Sequence, residues 1–227
     1  MDKEENNRIF LSLYLPAVLI LGLVMIQLYQ YFIGSLGFLG IFPRRLSGLI
    51  GVITAPLVHG DFMHLLSNSI PLFICCFFLI YSYKNLAYKV FILIYLGTGL
   101  FVWIFARPNL HIGASGVIYG LVGFLFLSGL IRKNTNLLAI ALLIIFLYGS
   151  LVYGILPFDL KISWESHLFG LFLGFLTAVI YRNDGPPPPV DPFENEVEEE
   201  MEINNVSRTD QVDINQGINI NSDTQEI

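Results

Sequence analysis

The sequence predicts an all-α membrane protein: a bundle of six transmembrane helices with a partly embedded first loop and a disordered C-terminal tail. The first observation is composition, since 55% of the 227 residues are hydrophobic and only 13% are charged, whereas a soluble domain carries about 25% charged residues. The second is distribution, because acidic residues crowd the two ends and are nearly missing between Ile9 and Tyr181. The third is length, because several apolar runs approach the roughly 20 residues that a helix needs to cross a bilayer.

Six apolar runs form the predicted membrane domain, residues 9–182. The runs cover approximately residues 9–31, 64–82, 88–106, 115–131, 137–155 and 164–181. The first is longer than the apolar core of a signal peptide and no small-residue cleavage pattern follows it, so we interpret it as a retained span. The fourth and sixth are short and begin with polar residues, which are costly at membrane depth unless they face protein or water. Polar helix starts of this kind indicate a functional site.

The connection between the first two runs, residues 32–63, is rich in Gly, Pro and Phe. It is too apolar for an exposed loop and too broken for a spanning helix. Irregular backbone at membrane depth is tolerated only where protein or a water-filled cavity covers it. We therefore expect a partly embedded, irregular element beside the helices.

The two ends of the chain are polar. Residues 1–8 are predicted as a short cytoplasmic N-terminus. Residues 183–227 are first Pro-rich, then acidic and then Asn-rich. Such a segment buries too little apolar surface to offset its chain entropy, so we predict a disordered cytoplasmic tail. This tail carries much of the net charge of −6, which therefore says little about partners.

Lys and Arg residues orient the bundle, because cytoplasmic loops of membrane proteins carry an excess of positive charge. With the N-terminus in the cytoplasm, the inner side holds Lys3, Arg8, Lys84, Lys89, Arg132, Lys133 and Arg182. The outer side then holds Arg44, Arg45, Arg107 and Lys161. The bias favours a multi-pass protein of the cell membrane, plasma or inner, with both termini in the cytoplasm.

Composition and spacing argue against several function classes. The sequence has no basic patch that would indicate a nucleic-acid partner. It also has no His-Glu-x-x-His motif, which would indicate a zinc protease. The adjacent Cys75 and Cys76 lie in an apolar run, and we interpret them as core packing because neighbouring cysteines rarely pair. We expect no cofactor and no metal, and a site built from the four histidines is a minor alternative. The lipid bilayer is the partner that the composition predicts directly.

Polar residues with catalytic potential cluster where the second, fourth and sixth runs begin. They are His59, Asp61, His64 and Asn68, then Ser115, then His167. In the predicted topology all three runs enter from the outer side, so these residues lie at matched depth. His64 and Asn68 are four residues apart and share one helix face. Asp61 is interpreted as the N-cap of the second span, and His59 and His111 as loop or lining groups.

Two small-residue patterns are expected to bring the serine and the histidine together. The fourth run contains Gly116-x-x-x-Gly120 and the sixth contains Gly170-x-x-x-Gly174. Small residues spaced by four let membrane helices approach closely. That approach would place Ser115 within reach of its histidine. A serine between glycines is by itself a common packing residue, so the prediction depends on the whole set of polar groups.

Ser115 and His167 have the chemistry of a nucleophile and its base. A serine hydroxyl is a weak nucleophile until a neighbouring base takes its proton, and histidine titrates near neutrality. Glu165 lies two residues before His167, on a different helix face, so we predict a Ser–His dyad rather than a triad. The oxyanion of an acyl-transfer intermediate needs hydrogen-bond donors. The candidates are His64, the Asn68 side chain and the Ser115 N–H.

Three motifs, "HGDFMHLLSN", "GASGVIYG" and "SHLFGLFLG" in that order, resemble those of the rhomboid intramembrane serine proteases. The resemblance covers roughly residues 9–182. It implies that Ser115 is the nucleophile and that His167 is the general base and acid. It also implies that His64 and Asn68 help to hold the oxyanion.

The resemblance extends to three supporting residues and to the first loop. Tyr119 matches the tyrosine that packs against the catalytic imidazole, and Gly113 and Gly116 match the motif glycines. Many members carry a Trp-Arg pair in the first loop, whereas this chain has "PRRL", so the contacts that anchor the loop are not predicted. Ser166 stands where Ala or Gly often precedes the catalytic histidine.

The predicted function is that of an intramembrane serine endopeptidase. The resemblance implies that its substrates are transmembrane segments of membrane proteins, cut near their outer end at small residues with helix-weakening neighbours. An alternative is a catalytically silent relative that binds membrane helices for quality control or trafficking. A transporter is a weaker alternative, because the sequence shows no internal repeat and no pair of half-helices in matching positions.

Overall fold

The computed structural model describes residues 3–147, 154–158 and 163–187. The described α-helices are α1 (Lys3–Phe32), α2 (Gly51–Thr54), α3 (Phe62–Tyr83), α4 (Asn85–Phe105), α5 (Ser115–Ile131), α6 (Thr135–Leu147) and α7 (Trp164–Ile180). Apart from one isolated antiparallel bridge, between Ile41 and His111, these residues contain no β-structure. The all-α prediction is confirmed for the described residues. Nearly all of the segment predicted as a tail lies outside them.

Three helices, α1, α3 and α4, are long and apolar enough to cross a membrane. Helices α5, α6 and α7 are apolar but shorter. This architecture fits an integral membrane protein built as a helical bundle. Helix α1 begins at Lys3, before the first apolar run, because Glu4 and Glu5 lie in its first turn and negative charge is favourable at a helix N-terminus.

The fifth apolar run ends differently from the prediction. Helix α6 is described to Leu147, and residues 148–153 lie outside the described part of the chain. Residues 154–158 form turns, so the prediction of a span that reaches residue 155 is wrong at its end. The reason is local, because Gly154 and Pro157 are turn-forming residues and proline cannot supply a helix hydrogen bond.

Helix α5 lies at the centre of the bundle. Most of its residues are buried, and Leu121, Phe124 and Leu125 are completely enclosed. A helix that is apolar on all sides needs neighbours on all sides, and α5 packs against α3, α6 and α7. Cys75 and Cys76 are buried free thiols in the same core, which confirms their interpretation as packing residues.

The first loop is irregular, and Arg44 anchors it to the end of α4. The backbone N–H of Arg44 donates to the carbonyl of Trp103 at 2.9 Å. Its guanidinium donates to the carbonyls of Ile104 at 3.2 Å and Ala106 at 2.6 Å. The indole N–H of Trp103 donates in return to the Arg45 carbonyl at 2.9 Å. The cation thus satisfies carbonyls that have no partner inside the helix, and these contacts supply the anchor that the sequence left open.

Candidate active site

Helices α5 and α7 touch backbone to backbone, as the glycine pattern predicts. A Cβ atom added to Gly170 would overlap the carbonyl oxygen of Gly116, and one added to Gly174 would overlap that of Gly120. Only glycine leaves room for so close an approach. Gly116 also lies against Ser166, so the first turns of the two helices are neighbours.

This contact brings Ser115 and His167 together. Ser115 opens α5 and His167 lies in the first turn of α7. The hydroxyl oxygen of Ser115 is 2.8 Å from Nε2 of His167. On the other side of the ring, Nδ1 is 2.8 Å from the carbonyl oxygen of Gly154. A carbonyl oxygen can only accept, so Nδ1 carries the proton and Nε2 presents its lone pair to the serine.

The partner of Nδ1 is a backbone atom in the turn formed by residues 154–158. Sequence reasoning found no carboxylate for His167 and missed this carbonyl, because a backbone acceptor leaves no residue-type signal. The ring of His167 is further held by Tyr119, one turn after Ser115. The two rings stack with centroids 4.2 Å apart and planes 8° apart. The imidazole is therefore fixed in position and in tautomer.

His64 faces the same region from the start of α3. The carboxylate of Asp61 accepts from the His64 backbone N–H at 2.7 Å, which confirms Asp61 as the N-cap of this helix. The Gly60 N–H lies 3.3 Å from Nδ1 of His64, and a nitrogen that accepts carries no proton, so the proton is on Nε2. A Cβ atom on Gly113 would lie 2.8 Å from that Nε2. Gly113 also has φ +100°, which an L side chain rarely adopts.

Asn68 lies one turn further along α3. Its Nδ2 would be 3.4 Å from a Cβ atom on Gly113. This nitrogen is buried and has no hydrogen-bond partner in the described part of the chain. The structure thus places two side-chain donors, from His64 and Asn68, beside the backbone two residues before Ser115. Buried donors are normally paired, so an unpaired one here marks a place for an acceptor.

His59 is packed against His64 with ring centroids 5.1 Å apart. Only 2% of it is exposed, and its ring interacts with the backbone of Leu57. Burial, and then the proximity of His64, lower the pKa of His59 to about 4. Its interpretation as a lining group is therefore refined: it is a neutral ring that supports His64.

His111 connects the segment before α5 to the start of α7. Its Nδ1 is 2.5 Å from the hydroxyl of Ser163 and its Nε2 is 3.2 Å from the carbonyl of Arg107. Arg107 also forms an ion pair with Glu165, with 3.0 Å between Nε and Oε1. Sequence reasoning missed this pair. The signal was present, because a carboxylate in an apolar stretch needs a cation and Arg107 is one of the four cations predicted on the outer side.

Among the described residues, no group of three or more His, Cys, Asp or Glu side chains is arranged to hold a metal ion. The geometry instead offers a hydroxyl, a base with a free lone pair and hydrogen-bond donors around one backbone stretch. Such an arrangement suits acyl transfer, in which an activated serine attacks a carbonyl and donors hold the developing oxyanion.

A family model described as Rhomboid domain matches residues 46–184. An uncharacterized protein of Mycobacterium tuberculosis is 34% identical over 169 residues, which cover 70% of this chain and 70% of that protein. A relative from Mycobacterium leprae, also uncharacterized, is 29% identical over 142 residues, or 58% of this chain and 56% of its own length. A Bacillus subtilis protein with the name "Putative rhomboid protease YdcA" is 29% identical over 197 residues, or 78% of this chain and 94% of its own length.

Proposed function

Since the chain belongs to the rhomboid family, we propose that it is an intramembrane serine endopeptidase that hydrolyses peptide bonds in or near transmembrane segments. The observation that carries this proposal is the pair Ser115–His167, with 2.8 Å between Oγ and Nε2 and a carbonyl fixing the opposite ring nitrogen. A serine so placed is activated by a base that is already in its accepting tautomer.

In the proposed reaction, His167 removes the hydroxyl proton of Ser115, and Oγ attacks the carbonyl carbon of the scissile bond. The tetrahedral intermediate carries its negative charge on the former carbonyl oxygen. His64 Nε2–H, Asn68 Nδ2–H and the backbone N–H of Ser115 are the donors for this oxyanion. The backbone N–H suits the role because the first N–H groups of a helix have no partner inside it.

His167 then transfers the proton to the leaving amine, and the acyl-enzyme remains on Ser115. A water molecule, deprotonated by the same imidazole, releases the second product and restores the hydroxyl. Pro or Gly near the cleaved bond of the substrate would favour the reaction, because a helical peptide bond is shielded until the helix unwinds.

The proposed topology has six spans: α1, α3, α4, α5, the fifth run that contains α6, and α7. Helices α5 and α7 begin at a water-filled pocket open to the outer side, which explains how they can be shorter than a bilayer. Both termini are cytoplasmic, the protein resides in the cell membrane, and the irregular first loop is partly embedded. Exposed apolar side chains on that loop, such as Phe38 at 72% and Leu46 at 85%, support contact with lipid.

Cleavage of a reporter transmembrane segment in proteoliposomes tests the proposal. Replacement Ser115→Ala removes the nucleophile and should lower the rate by at least roughly a thousandfold. Ser12→Ala is the matched control, because the Ser12 hydroxyl is buried and, among the described residues, bonds the Arg8 carbonyl of its own helix at 2.7 Å. Full activity of Ser115→Ala would exclude this serine as the nucleophile. A fluorophosphonate probe separates the alternative, since a silent helix-binding relative would not be labelled at Ser115.

A further inference from the structure

A chain of hydrogen bonds that the proposed chemistry does not use joins the start of α7 to the segment before α5. It starts at the hydroxyl of Ser166, which is 2.5 Å from the hydroxyl of Ser163. It continues to His111 Nδ1 at 2.5 Å and ends where His111 Nε2 meets the Arg107 carbonyl at 3.2 Å. Only 3% of His111 is exposed, so water does not compete effectively for these bonds.

The direction of the chain follows from its last member. A carbonyl oxygen can only accept, so the proton of a neutral His111 is on Nε2 and Nδ1 is an acceptor. The Ser163 hydroxyl therefore donates to Nδ1, and its oxygen accepts from Ser166. Burial lowers the pKa of His111, which favours this neutral form. Each hydroxyl has one defined partner to which it donates.

Ser163 precedes the first residue of α7, where serine usually accepts from an N–H group of the following turn. Its hydroxyl forms no such cap bond here. Its backbone carbonyl still accepts from the N–H groups of Ser166 at 3.0 Å and His167 at 3.4 Å. The side chain is thus directed away from its own helix and towards His111, so the helix start is tied to another segment.

A second tie joins the same two segments. The guanidinium of Arg107 pairs with Glu165, and the backbone N–H of Arg107 lies 3.4 Å from the same carboxylate oxygen. The Glu165 side chain is 5% exposed and that of Arg107 is 26% exposed. His111 itself is fixed by two backbone bonds with Ile41, each 2.9 Å long. The segment that holds α7 is therefore anchored to the first loop.

We propose that His111 is a positioning residue: its imidazole holds the start of α7 against the segment that leads into α5, and so sets the separation of His167 from Ser115. His111 lies four residues before the serine, and Ser163 lies four residues before the histidine. The tie therefore connects the two short segments that carry the reacting groups. The inference rests on the proposed function, since positioning has meaning only for a working pair.

Five variants test the bond between His111 and Ser163, and one of them, Ser163→Thr, keeps the hydroxyl. Ser163→Ala removes only the hydroxyl, and it leaves capping unchanged because the hydroxyl does not cap. His111→Phe removes both ring contacts. His111→Asn places an amide near the position of ring Nδ1 and keeps a group that can bond Ser163. His111→Gln places it near Nε2 and keeps only the Arg107 contact. Thr177→Val is the control on α7, because Thr177 bonds the Leu173 carbonyl of its own helix at 2.6 Å.

The expected result is a fall in kcat of about tenfold to a hundredfold for Ser163→Ala, His111→Phe and His111→Gln, with KM within about twofold. His111→Asn and Ser163→Thr should recover most of the rate. Fluorophosphonate labelling of Ser115 should slow in parallel, because it also depends on the base. Hydrogen exchange at the amides of Ser166 and His167 should quicken in Ser163→Ala and stay unchanged in Thr177→Val.

Unchanged labelling rates together with unchanged amide exchange in Ser163→Ala and His111→Phe would overturn the positioning role. Equal loss in the Asn and Gln variants would also overturn it, since the bond to Ser163 would then not be the decisive one. Failure of the proposed function has a different signature, namely full cleavage by Ser115→Ala. In that case amide exchange still decides whether the tie holds the start of α7.

Discussion

The two flanks of Ser115 differ in how completely their polar side chains are hydrogen-bonded. On the α7 side, His167 and His111 each have both ring nitrogens within hydrogen-bond distance of a partner. On the α3 side, the Nδ2 of Asn68 is buried and has no hydrogen-bond partner in the described part of the chain. The histidines of the α7 flank are thus fully bonded in the resting protein, and the α3 flank contains a donor that no described residue satisfies.

The difference follows from what each flank would do in acyl transfer. A base must be aligned before the reaction begins, because the proton moves as the nucleophile attacks. Oxyanion donors are useful when they bind the transition state better than the resting state. Donors that were already satisfied by protein acceptors would have to break those bonds first. We call the α7 side the packed flank, because its contacts hold the base in position. We call the α3 side the open flank, because its unpaired donor is left for the oxyanion that forms during the reaction.

The largest combined effect, on activity and on stability together, is expected from Gly170→Ala, which breaks the packed flank. The added methyl group would overlap the carbonyl of Gly116, so α5 and α7 must separate and His167 moves away from Ser115. Cleavage of the reporter segment should fall by at least about a hundredfold, and the free energy of unfolding by about 1–3 kcal/mol. Both are measured on the same detergent-solubilised protein.

Gly22→Ala is the matched control for that variant. Gly22 lies inside α1, and a Cβ atom there meets nothing within 4 Å. Alanine is a better helix former than glycine by about 1 kcal/mol, so stability should be equal or higher and activity unchanged. If the two variants behaved alike, close approach of α5 and α7 would not be what aligns the pair.

Asn68→Leu tests the open flank. This replacement removes the Nδ2 donor, which has no hydrogen-bond partner among the described residues. The leucine side chain has a volume similar to that of asparagine. We expect kcat to fall by about 10²–10³-fold with KM nearly unchanged, while thermal stability stays equal or rises. Ser69→Ala is the control, since Ser69 bonds the Leu65 carbonyl of its own helix at 2.8 Å. A large loss of stability in Asn68→Leu would show that the amide is structural.

His59→Phe tests the same flank through acid stability and has the smallest expected effect. In the unfolded chain a histidine binds its proton near pH 6.5, whereas folded His59 binds it only near pH 4, because its pKa is lowered to about 4. Between these values the unfolded state binds more protons, so stability falls as the pH is lowered.

For the unsubstituted protein we expect His59 to contribute a loss on the order of 1–3 kcal/mol between pH 6.5 and pH 4. The Phe variant should lose less over that interval, measured by denaturant or thermal unfolding at several pH values. Carboxylates titrate in both proteins, so the difference between the two curves isolates His59. Parallel curves would contradict a buried, neutral ring at this position.

The residue types of the candidate site could be predicted because each has a chemical signature. A serine, histidines and an asparagine at the starts of apolar runs are costly at membrane depth unless they serve a purpose. The glycine spacing predicted the contact between α5 and α7, and a polar residue before α3 predicted its cap. The predicted end of the fifth run at residue 155 was wrong, because the run is largely apolar up to that point while Gly154 and Pro157 favour turns.

The sequence by itself determined that the chain is an apolar helical bundle, which helices begin with reactive groups and which two helices could touch. Side-chain polarity and helical spacing carry that information locally. Only the tertiary structure decided that a backbone carbonyl orients His167, that Arg44 and Trp103 anchor the first loop, and that His111 bonds Ser163 rather than lining a loop. Backbone acceptors are the same at every residue, and partners distant in the chain meet only after packing, so no pattern of residue types encodes them.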